Sequence, residues 1–315
     1  MIYGNRMTST ARPLRFGLVG TGHWARIAHA PALASTPGVE LAAVWGRNPE
    51  AAAALAAQHG ATAHADLGTL LDHVDALAFA VPPDVQATIA RRAAAAGKHL
   101  LLEKPIAIDP ALAGALMQEA EQAGVATLVF FTSRYQHDVR AWLADVTPRG
   151  PWTGGQATWL GSALETASPF NTPWRRESGA LWDLGPHVVS LLWAAVGPVT
   201  AVTADAGLAD VSHLVLHHDS GATSALTVSL SAPEGAEVQD LFVWGQPGRS
   251  VAPAEAEDPV IPLRTALAEL AAMVRSGQAS HPCDVRFGYA VGRILADAQH
   301  QLDAARADGR GRRRP

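Results

Sequence analysis

Residues 14–25 read Leu-Arg-Phe-Gly-Leu-Val-Gly-Thr-Gly-His-Trp-Ala, and this stretch decides the fold. Its first half is an apolar run typical of a buried strand. Gly20, Gly22 and Ala25 follow with the spacing G-x-G-x-x-A. In a dinucleotide-binding turn, these small residues allow a tight turn, a close approach of a pyrophosphate and close packing of the next helix, whose N-terminus attracts phosphate. The stretch therefore predicts a nucleotide-binding turn.

Strand and helix patterns alternate beyond this turn, up to about residue 130. Further buried strands are predicted at 39–45, 76–81, 99–102 and 125–131. Regular alternation with right-handed crossovers is typical of an α/β fold with a doubly wound parallel sheet. We therefore assign residues 1–130 to a Rossmann dinucleotide-binding domain.

The pattern changes after residue 130, where strand-like segments are joined by short turns. The predicted strands lie at about 156–162, 199–206, 211–218, 222–231 and 238–244. Helices are predicted at about 138–146, 178–195, 263–275 and 284–305. Residues 131–315 are therefore expected to form an α+β domain with an open mixed or antiparallel sheet.

The composition limits the possible classes of function. With 315 residues, of which 48% are hydrophobic, the chain is expected to form about two domains with a substantial core. Its formal net charge of −5 argues against nucleic acid or an anionic membrane as a partner. Cys283 is the only cysteine, which rules out an intrachain disulfide and favours a reduced, cytoplasmic setting. The sequence has no residue cluster with metal-ligand spacing, so no bound metal is expected. It also has no apolar run long enough to span a membrane, so no membrane partner is expected.

The two ends of the sequence carry little functional signal. The N-terminus has no secretory pattern, residues 1–12 are polar, and Met7 is an alternative start that the sequence leaves open. Residues 310–315 are basic and are expected to be a solvated end.

The end of the second predicted strand bears on the choice of cofactor. A carboxylate about 20 residues after the glycines usually holds the ribose hydroxyls of NAD. This chain has Trp45, Gly46, Arg47 and Asn48 instead. Because no carboxylate repels a phosphate there, Arg47 could pair with the 2′-phosphate of NADP. NADP is therefore favoured over NAD, with a merely solvated Arg47 as the alternative.

Glu103-Lys104-Pro105 ends a predicted parallel strand, at the edge where open sheets bind ligands. Lys98 and Lys104 are the only lysines among 24 basic residues. A buried lysine can be brought to release its proton, whereas arginine cannot do so usefully. Lys104 is therefore a candidate for chemistry, and a surface ion pair with Glu103 is the alternative.

Residues 179–187 read Gly-Ala-Leu-Trp-Asp-Leu-Gly-Pro-His. If they are helical, Asp183 and His187 lie four residues apart and share one face. Pro186 fits the first turn of a new helical segment, which would change that geometry. A histidine beside a carboxylate is a usual general acid–base arrangement. A structural Asp–His pair is the alternative.

Together, residues 20–25, 97–105 and 179–187 resemble the Gfo/Idh/MocA family of NAD(P)-dependent oxidoreductases. The resemblance implies a Rossmann domain followed by an α/β domain whose open sheet often forms a homo-oligomer contact. It also implies three catalytic residues beside the nicotinamide, namely Lys104, Asp183 and His187. The chain departs from the family where Gln86 replaces a common histidine and Ser133 or Thr132 a common asparagine.

The resemblance carries further site residues onto this sequence. The implied cofactor-binding residues are Gly20, Thr21, Gly22, His23, Trp24, Arg47, Pro82, Glu103 and Lys104. The implied substrate-binding residues are Lys104, Arg134, Trp174, Arg175, Asp183 and His187. No metal ligand is among them.

The expected function is hydride transfer between NADP or NAD and a sugar, cyclitol or related small polyol. Three alternatives remain open at this point: a non-catalytic NAD(P)-binding sensor, an NAD-dependent glycosidase, and a diol or imine reductase on the same fold. Fold alone does not decide among them.

Overall fold

The computed structural model describes residues 12–233, 235–254 and 257–307. The expectations for the alternative start at Met7 and for the basic tail at 310–315 lie outside these described residues. Among the described helices, none combines the length and the apolar run that crossing a bilayer requires.

A six-stranded parallel sheet forms the first half of the chain, which confirms the predicted Rossmann fold. Its strands are β1 (Leu14–Val19), β2 (Val39–Trp45), β3 (Thr62–Ala63), β4 (Ala76–Phe79), β5 (His99–Glu103) and β6 (Thr127–Phe130). The spatial order is β3-β2-β1-β4-β5-β6, so the order in which strands join the sheet reverses between β1 and β4. Ligands bind at such a switch point in open α/β sheets.

Helices cover the first sheet and fix the turns at its edge. After a π-helical turn at Ala25–His29 come α1 (Ala30–Ser35), α2 (Pro49–Gln58), α3 (Leu67–Asp72), α4 (Pro83–Ala95) and α5 (Pro110–Gln122). The side chains of Asn48, Asp66 and Asp109 accept hydrogen bonds from backbone N–H groups at the starts of α2, α3 and α5. Such caps satisfy N–H groups that a helix leaves unpaired, which explains where these helices begin.

The second half of the chain forms a mixed six-stranded sheet, as predicted. Its strands are β7 (Trp152–Leu160), β8 (Val199–Ala206), β9 (Ser212–His218), β10 (Thr223–Ser229), β11 (Val238–Gly245) and β12 (Gly248–Val251). The order is β12-β11-β7-β10-β9-β8, and only the β7–β10 pair is parallel. The strand predicted from residue 156 already begins at Trp152, and β12 was not predicted.

The remaining helices connect the two sheets. They are α6 (Thr132–Tyr135), α7 (His137–Arg149), α8 (Pro173–Asp183), α9 (Gly185–Val196), α10 (Val260–Ser276) and α11 (Val285–Ala307). Although it comes late in the chain, α10 packs against α1, and α11 packs against both α5 and β8. The division of the chain at residue 130 therefore stays a prediction.

The single helix predicted at 178–195 is wrong. Gly179 has φ +68° and ψ −168°, which interrupts α8, and Leu184 separates α8 from α9. The predicted span thus contains parts of two helices, and α8 begins five residues earlier than predicted, at Pro173. The alternative noted for Pro186 is confirmed, since this proline lies in the first turn of α9.

Candidate functional site

One large cleft brings together residues from both halves of the chain. It has a volume of about 1390 Å³. Gly22 and Lys104 line it from the first half, and Asp183 and His187 line it from the second. A cavity of this size accommodates a dinucleotide end together with a small substrate.

The glycine turn after β1 has the geometry that a dinucleotide needs. Gly20 has φ +126°, and a Cβ there would lie 2.4 Å from the carbonyl oxygen of Ala80. A side chain at this position is therefore excluded both by the positive φ and by the clash with Ala80. At Gly22, by contrast, a Cβ would meet no atom within 4 Å, so its backbone faces open space. The turn thus fits a pyrophosphate, which would occupy the space beside Gly22.

Neighbours of this turn explain its shape. A Cβ on Gly46, just after β2, would lie 2.8 Å from Cγ2 of Thr21, so the glycine makes room for that side chain. The His23 ring packs edge-on against Phe170, with 5.3 Å between centroids. Phe170 lies in the loop between β7 and α8, so that loop covers the glycine turn.

Trp24 and Glu103 connect the glycine turn to the end of β5. The Trp24 indole Nε1 donates to Glu103 Oε1 over 2.7 Å, and His29 Nε2 lies 2.9 Å from the same oxygen. Because its carboxylate is occupied in this way, Glu103 holds the turn against the backbone that carries Lys104.

Arg47 and Pro82 also line the cleft, at the ends of β2 and β4. Arg47 is exposed and forms no ion pair with any residue in the described ranges. Its guanidinium is therefore available to a ligand.

Lys104 crosses the cleft wall to Asp183. Its Nζ donates to Asp183 Oδ1 and to the Asp183 carbonyl oxygen, each over 2.8 Å. An ammonium group has three N–H bonds, so two are used within the protein. The third can donate to a ligand in the cleft.

Asp183 is an ion-pair centre and not a proton acceptor. Its second oxygen, Oδ2, accepts a hydrogen bond from Arg175 Nε over 2.9 Å. Burial by itself would raise the pKa of Asp183, but the Lys104 and Arg175 cations outweigh it and hold that pKa well below its usual range. Asp183 therefore stays ionised and orients Lys104.

His187 is neutral over the ordinary pH range. Burial lowers its pKa well below the usual value, and the Lys104 charge adds to this effect, while Asp183 opposes it. Its ring stacks on Trp159, with 6.0 Å between centroids and 25° between planes. The side chain is 8% exposed and its Nδ1 has no hydrogen-bond partner. A neutral imidazole at the cleft can accept a proton.

The other residues implied for substrate binding divide into two groups. Trp174 and Arg175 line the cleft, and the Arg175 guanidinium stacks 4.6 Å from the Trp174 ring centroid. Arg134 is not among the cleft-lining residues. Its Nη1 donates to the Ser190 carbonyl oxygen over 3.0 Å, and its guanidinium lies over the Phe287 ring. The structure thus places Arg134 in the packing behind the cleft.

The second lysine serves a structural contact. Lys98 Nζ donates to the Val74 carbonyl oxygen over 3.0 Å, and Lys98 does not line the cleft. The scarcity of lysine therefore pointed to two residues, of which only Lys104 lies at the cleft.

Gln86 is a residue that sequence reasoning noted only as a departure from the family pattern. Its fully buried amide fastens the turn around Lys104. Gln86 Oε1 accepts from the N–H of Glu103 over 2.7 Å, and Nε2 lies 2.9 Å from the carbonyl oxygen of Glu103 and 3.3 Å from those of Pro105 and Ile106. A side-chain amide carries both a donor and an acceptor, and Gln86 uses both here.

Replacing Gln86 with methionine tests the clamp, by which we mean the hydrogen bonds from the Gln86 amide to the backbone of residues 103–106. The variant keeps the side-chain volume but leaves buried backbone groups unpaired, at about 1–3 kcal/mol for each group. We expect a lower midpoint of chemical unfolding and a lower turnover with it. Gln58→Met, on the exposed side of α2, is the matched control and is expected to change neither. A Gln86→Met protein as stable as the control would contradict the clamp.

Among the described residues, no group of three or more histidine, cysteine or acidic side chains is placed to hold a metal ion.

Comparison with known proteins gives matches to both halves of the chain. A model of the Gfo/Idh/MocA oxidoreductase family, described as an NAD-binding Rossmann fold, matches residues 14–131. A model of the Gfo/Idh/MocA C-terminal domain matches residues 149–251. Dehydrogenase FPY6 of Fusarium mangiferae is 33% identical over 202 residues, which cover 57% of this chain and 58% of that protein. The chain thus spans little more than half the length of that relative.

Solved structures share the fold over nearly the whole chain. The UDP-N-acetylglucosamine 3-dehydrogenase of Acidithiobacillus ferrooxidans has a TM-score of 0.79 at 21% identity, covering 94% of this chain and 99% of that one. Levoglucosan dehydrogenase, in complex with NADH and levoglucosan, has a TM-score of 0.79 at 18% identity, covering 93% and 98%. At these identities the likeness shows the architecture alone.

Proposed function

Because the chain belongs to the Gfo/Idh/MocA family of oxidoreductases, we propose that it transfers a hydride between a nicotinamide cofactor and a hydroxyl-bearing carbon of a sugar, cyclitol or related small polyol. One observation carries the proposal: Lys104 and His187 line the same cleft as the open side of Gly22. A curated relative named UDP-N-acetylglucosamine 3-dehydrogenase, which is 36% identical over 109 residues, supports this substrate class.

The residues that would hold the cofactor are those of the glycine turn, with Arg47 and Pro82 at the neighbouring strand ends. When bound, the nicotinamide supplies the hydride chemistry. The exposed, unpaired Arg47 and the absence of a carboxylate at the end of β2 favour NADP over NAD.

The chain's own residues handle the proton and the charge. His187, kept neutral by burial, accepts a proton from the substrate hydroxyl during oxidation and returns it during reduction. The remaining N–H of Lys104 donates to the same oxygen and stabilises the negative charge that develops there. Asp183 keeps Lys104 in position, and the Arg175 contact keeps Asp183 in position.

The test is nicotinamide absorbance with NAD or NADP and a panel of sugars, cyclitols and sugar acids. Turnover that changes the cofactor supports the oxidoreductase. Binding of cofactor without turnover of any polyol would favour the sensor alternative. Bond cleavage without net reduction of the cofactor would favour the glycosidase alternative.

Gly22→Val is expected to separate cofactor binding from folding. The new side chain enters open space in the protein, so the unfolding midpoint should stay close to that of the wild type. It occupies the position of the phosphates, so affinity for NADPH should fall by about tenfold or more. Calorimetric titration measures the affinity, and unchanged affinity would refute the assignment of the turn.

The pH dependence of turnover is expected to reflect His187. Since the folded pKa of His187 lies below 6.5, the neutral form persists on the acid side of that value. The acid limb of the turnover profile for oxidation should therefore fall below pH 6.5, and His187→Gln should remove it. An acid limb centred at or above pH 6.5 would contradict this role.

We also propose that the protein forms a homo-oligomer through its second sheet and that it is located in the cytoplasm. The sheet carries exposed apolar side chains on three strands: Val215, Trp244 and Val251 are 38%, 46% and 50% exposed. Such side chains favour a contact with another protein surface. The single buried cysteine fits a reducing compartment.

A further inference from the structure

His29 is a fully buried histidine to which the proposed mechanism gives no role. It ends the π-helical turn that follows the glycine turn, and it does not itself line the cleft. Its Nε2 lies 2.9 Å from Glu103 Oε1. Its other ring nitrogen, Nδ1, has no hydrogen-bond partner among the described residues. The polar contact of this buried ring is therefore directed at one carboxylate.

Glu103 connects His29 to two sides of the cleft. Its Oε1 also accepts from the Trp24 indole over 2.7 Å, and its Oε2 accepts from the backbone N–H of Lys104 over 3.3 Å. An indole N–H and a backbone N–H can only donate, so Glu103 is the acceptor in both contacts. Trp24 belongs to the glycine turn, and Lys104 carries the ammonium group at the reacting end. One carboxylate thus holds both parts of the site.

The same chemistry assigns the proton on the His29 ring. A carboxylate oxygen accepts hydrogen bonds, so Nε2 carries the N–H that points at Glu103. In the neutral ring Nδ1 is then unprotonated, and its lack of a partner leaves no N–H group unpaired. His29 therefore acts as a donor to Glu103.

We infer that His29 is a positioning residue, whose Nε2–H fixes the Glu103 carboxylate between the glycine turn and Lys104. Without this donor the carboxylate can turn away from the Trp24 indole and from the Lys104 backbone. The cofactor turn and the lysine then lose their common support, and small displacements of reacting groups lower the rate of transfer. This inference rests on the proposed function, since it names a residue that acts through the same site.

Three variants at position 29 separate the hydrogen bond from polarity and bulk. His29→Gln can place its amide nitrogen where Nε2 lies, whereas the shorter side chain of His29→Asn falls short of Glu103. His29→Met fills the space and has no donor. We expect the asparagine and methionine variants to lose about tenfold in affinity for NADPH and about tenfold in kcat. His29→Gln should stay within about threefold of the wild type in both.

The measurements use the full chain. Calorimetry gives the affinity for NADPH, and steady-state rates with the polyol that reacts best in the panel give kcat and KM. The KM for the polyol should change less than kcat, because no group that faces the substrate is removed.

His218 provides the matched control for loss of a buried histidine. It is also buried, its ring nitrogens contact the Gly197 carbonyl oxygen and Ser224 Oγ, and it does not line the cleft. His218→Met is expected to lower the midpoint of chemical unfolding and to leave NADPH affinity and kcat close to normal. A loss of stability alone therefore does not produce the effect expected at His29.

Glu103→Met tests whether His29 acts through this carboxylate. If it does, His29→Met/Glu103→Met should bind NADPH no more weakly than Glu103→Met alone. Additive losses, a His29→Met protein with normal affinity and kcat, or a His29→Gln protein no better than His29→Asn would each overturn the inference. Affinities in the expected order without turnover of any polyol would retain the role of His29 at the cofactor turn and refute the oxidoreductase proposal.

Discussion

Lys104→Ala is expected to lower turnover by about 10²–10⁴-fold, which is the range of general acid–base and charge-stabilising groups. The variant loses the one N–H that the ammonium has left for a substrate oxygen. Asp183 keeps its contact with Arg175 at 2.9 Å, so the local fold should survive. Turnover is measured with the polyol that reacts best in the panel, and cofactor affinity is measured by calorimetry and should change little.

Two further lysine variants sharpen this result. Lys104→Arg keeps the positive charge but replaces the compact ammonium donor with a larger planar group, so turnover should remain far below that of the wild type. Lys98→Ala removes the other lysine, whose contact is with the Val74 carbonyl outside the cleft, and should leave turnover close to normal. Lys104→Ala with normal turnover would remove Lys104 from the chemistry.

The sequence could predict those parts of the molecule that depend on local rules. The alternation of strand and helix and the mixed second sheet follow from short-range periodicity. The glycine turn follows from residues such as Gly20, because a glycine at this place in the motif permits a tight turn. Lys104, Asp183 and His187 were predicted from spacing and from the family resemblance. The structure places all three at one cleft, while their catalytic roles stay a prediction.

The parts that the sequence did not reveal depend on contacts between residues that are far apart along the chain. Gln86 clamps a turn 17 to 20 residues away, which no local pattern signals. Phe170 reaches the glycine turn across the cleft, because the loop between β7 and α8 folds back onto the first half of the chain. Arg134 has the charge of a substrate contact, but the nearby Ser190 carbonyl takes its hydrogen bond instead.

Asp183→Asn is expected to lower the free energy of unfolding by about 3–5 kcal/mol near neutral pH, since it leaves two largely buried cations, 10% and 17% exposed, without their counter-charge. The effect should depend on pH in one direction. The folded pKa of Asp183 lies below its unfolded value, so its stabilisation is fully present above about pH 4 and is lost as the pH falls through the folded pKa. Urea unfolding at a series of pH values measures the difference.

The gap between wild type and Asp183→Asn should therefore be constant from neutral pH to about pH 4 and should narrow below that value. Asp145→Asn breaks an exposed ion pair with Arg149, four residues along α7, and is expected to have little effect at any pH. A gap that stays constant down to about pH 2 would mean that shape and hydrogen bonding, and not the ionised carboxylate, hold Lys104 and Arg175 together. The position of Lys104 would then depend on packing, and the charge argument for its orientation would fail.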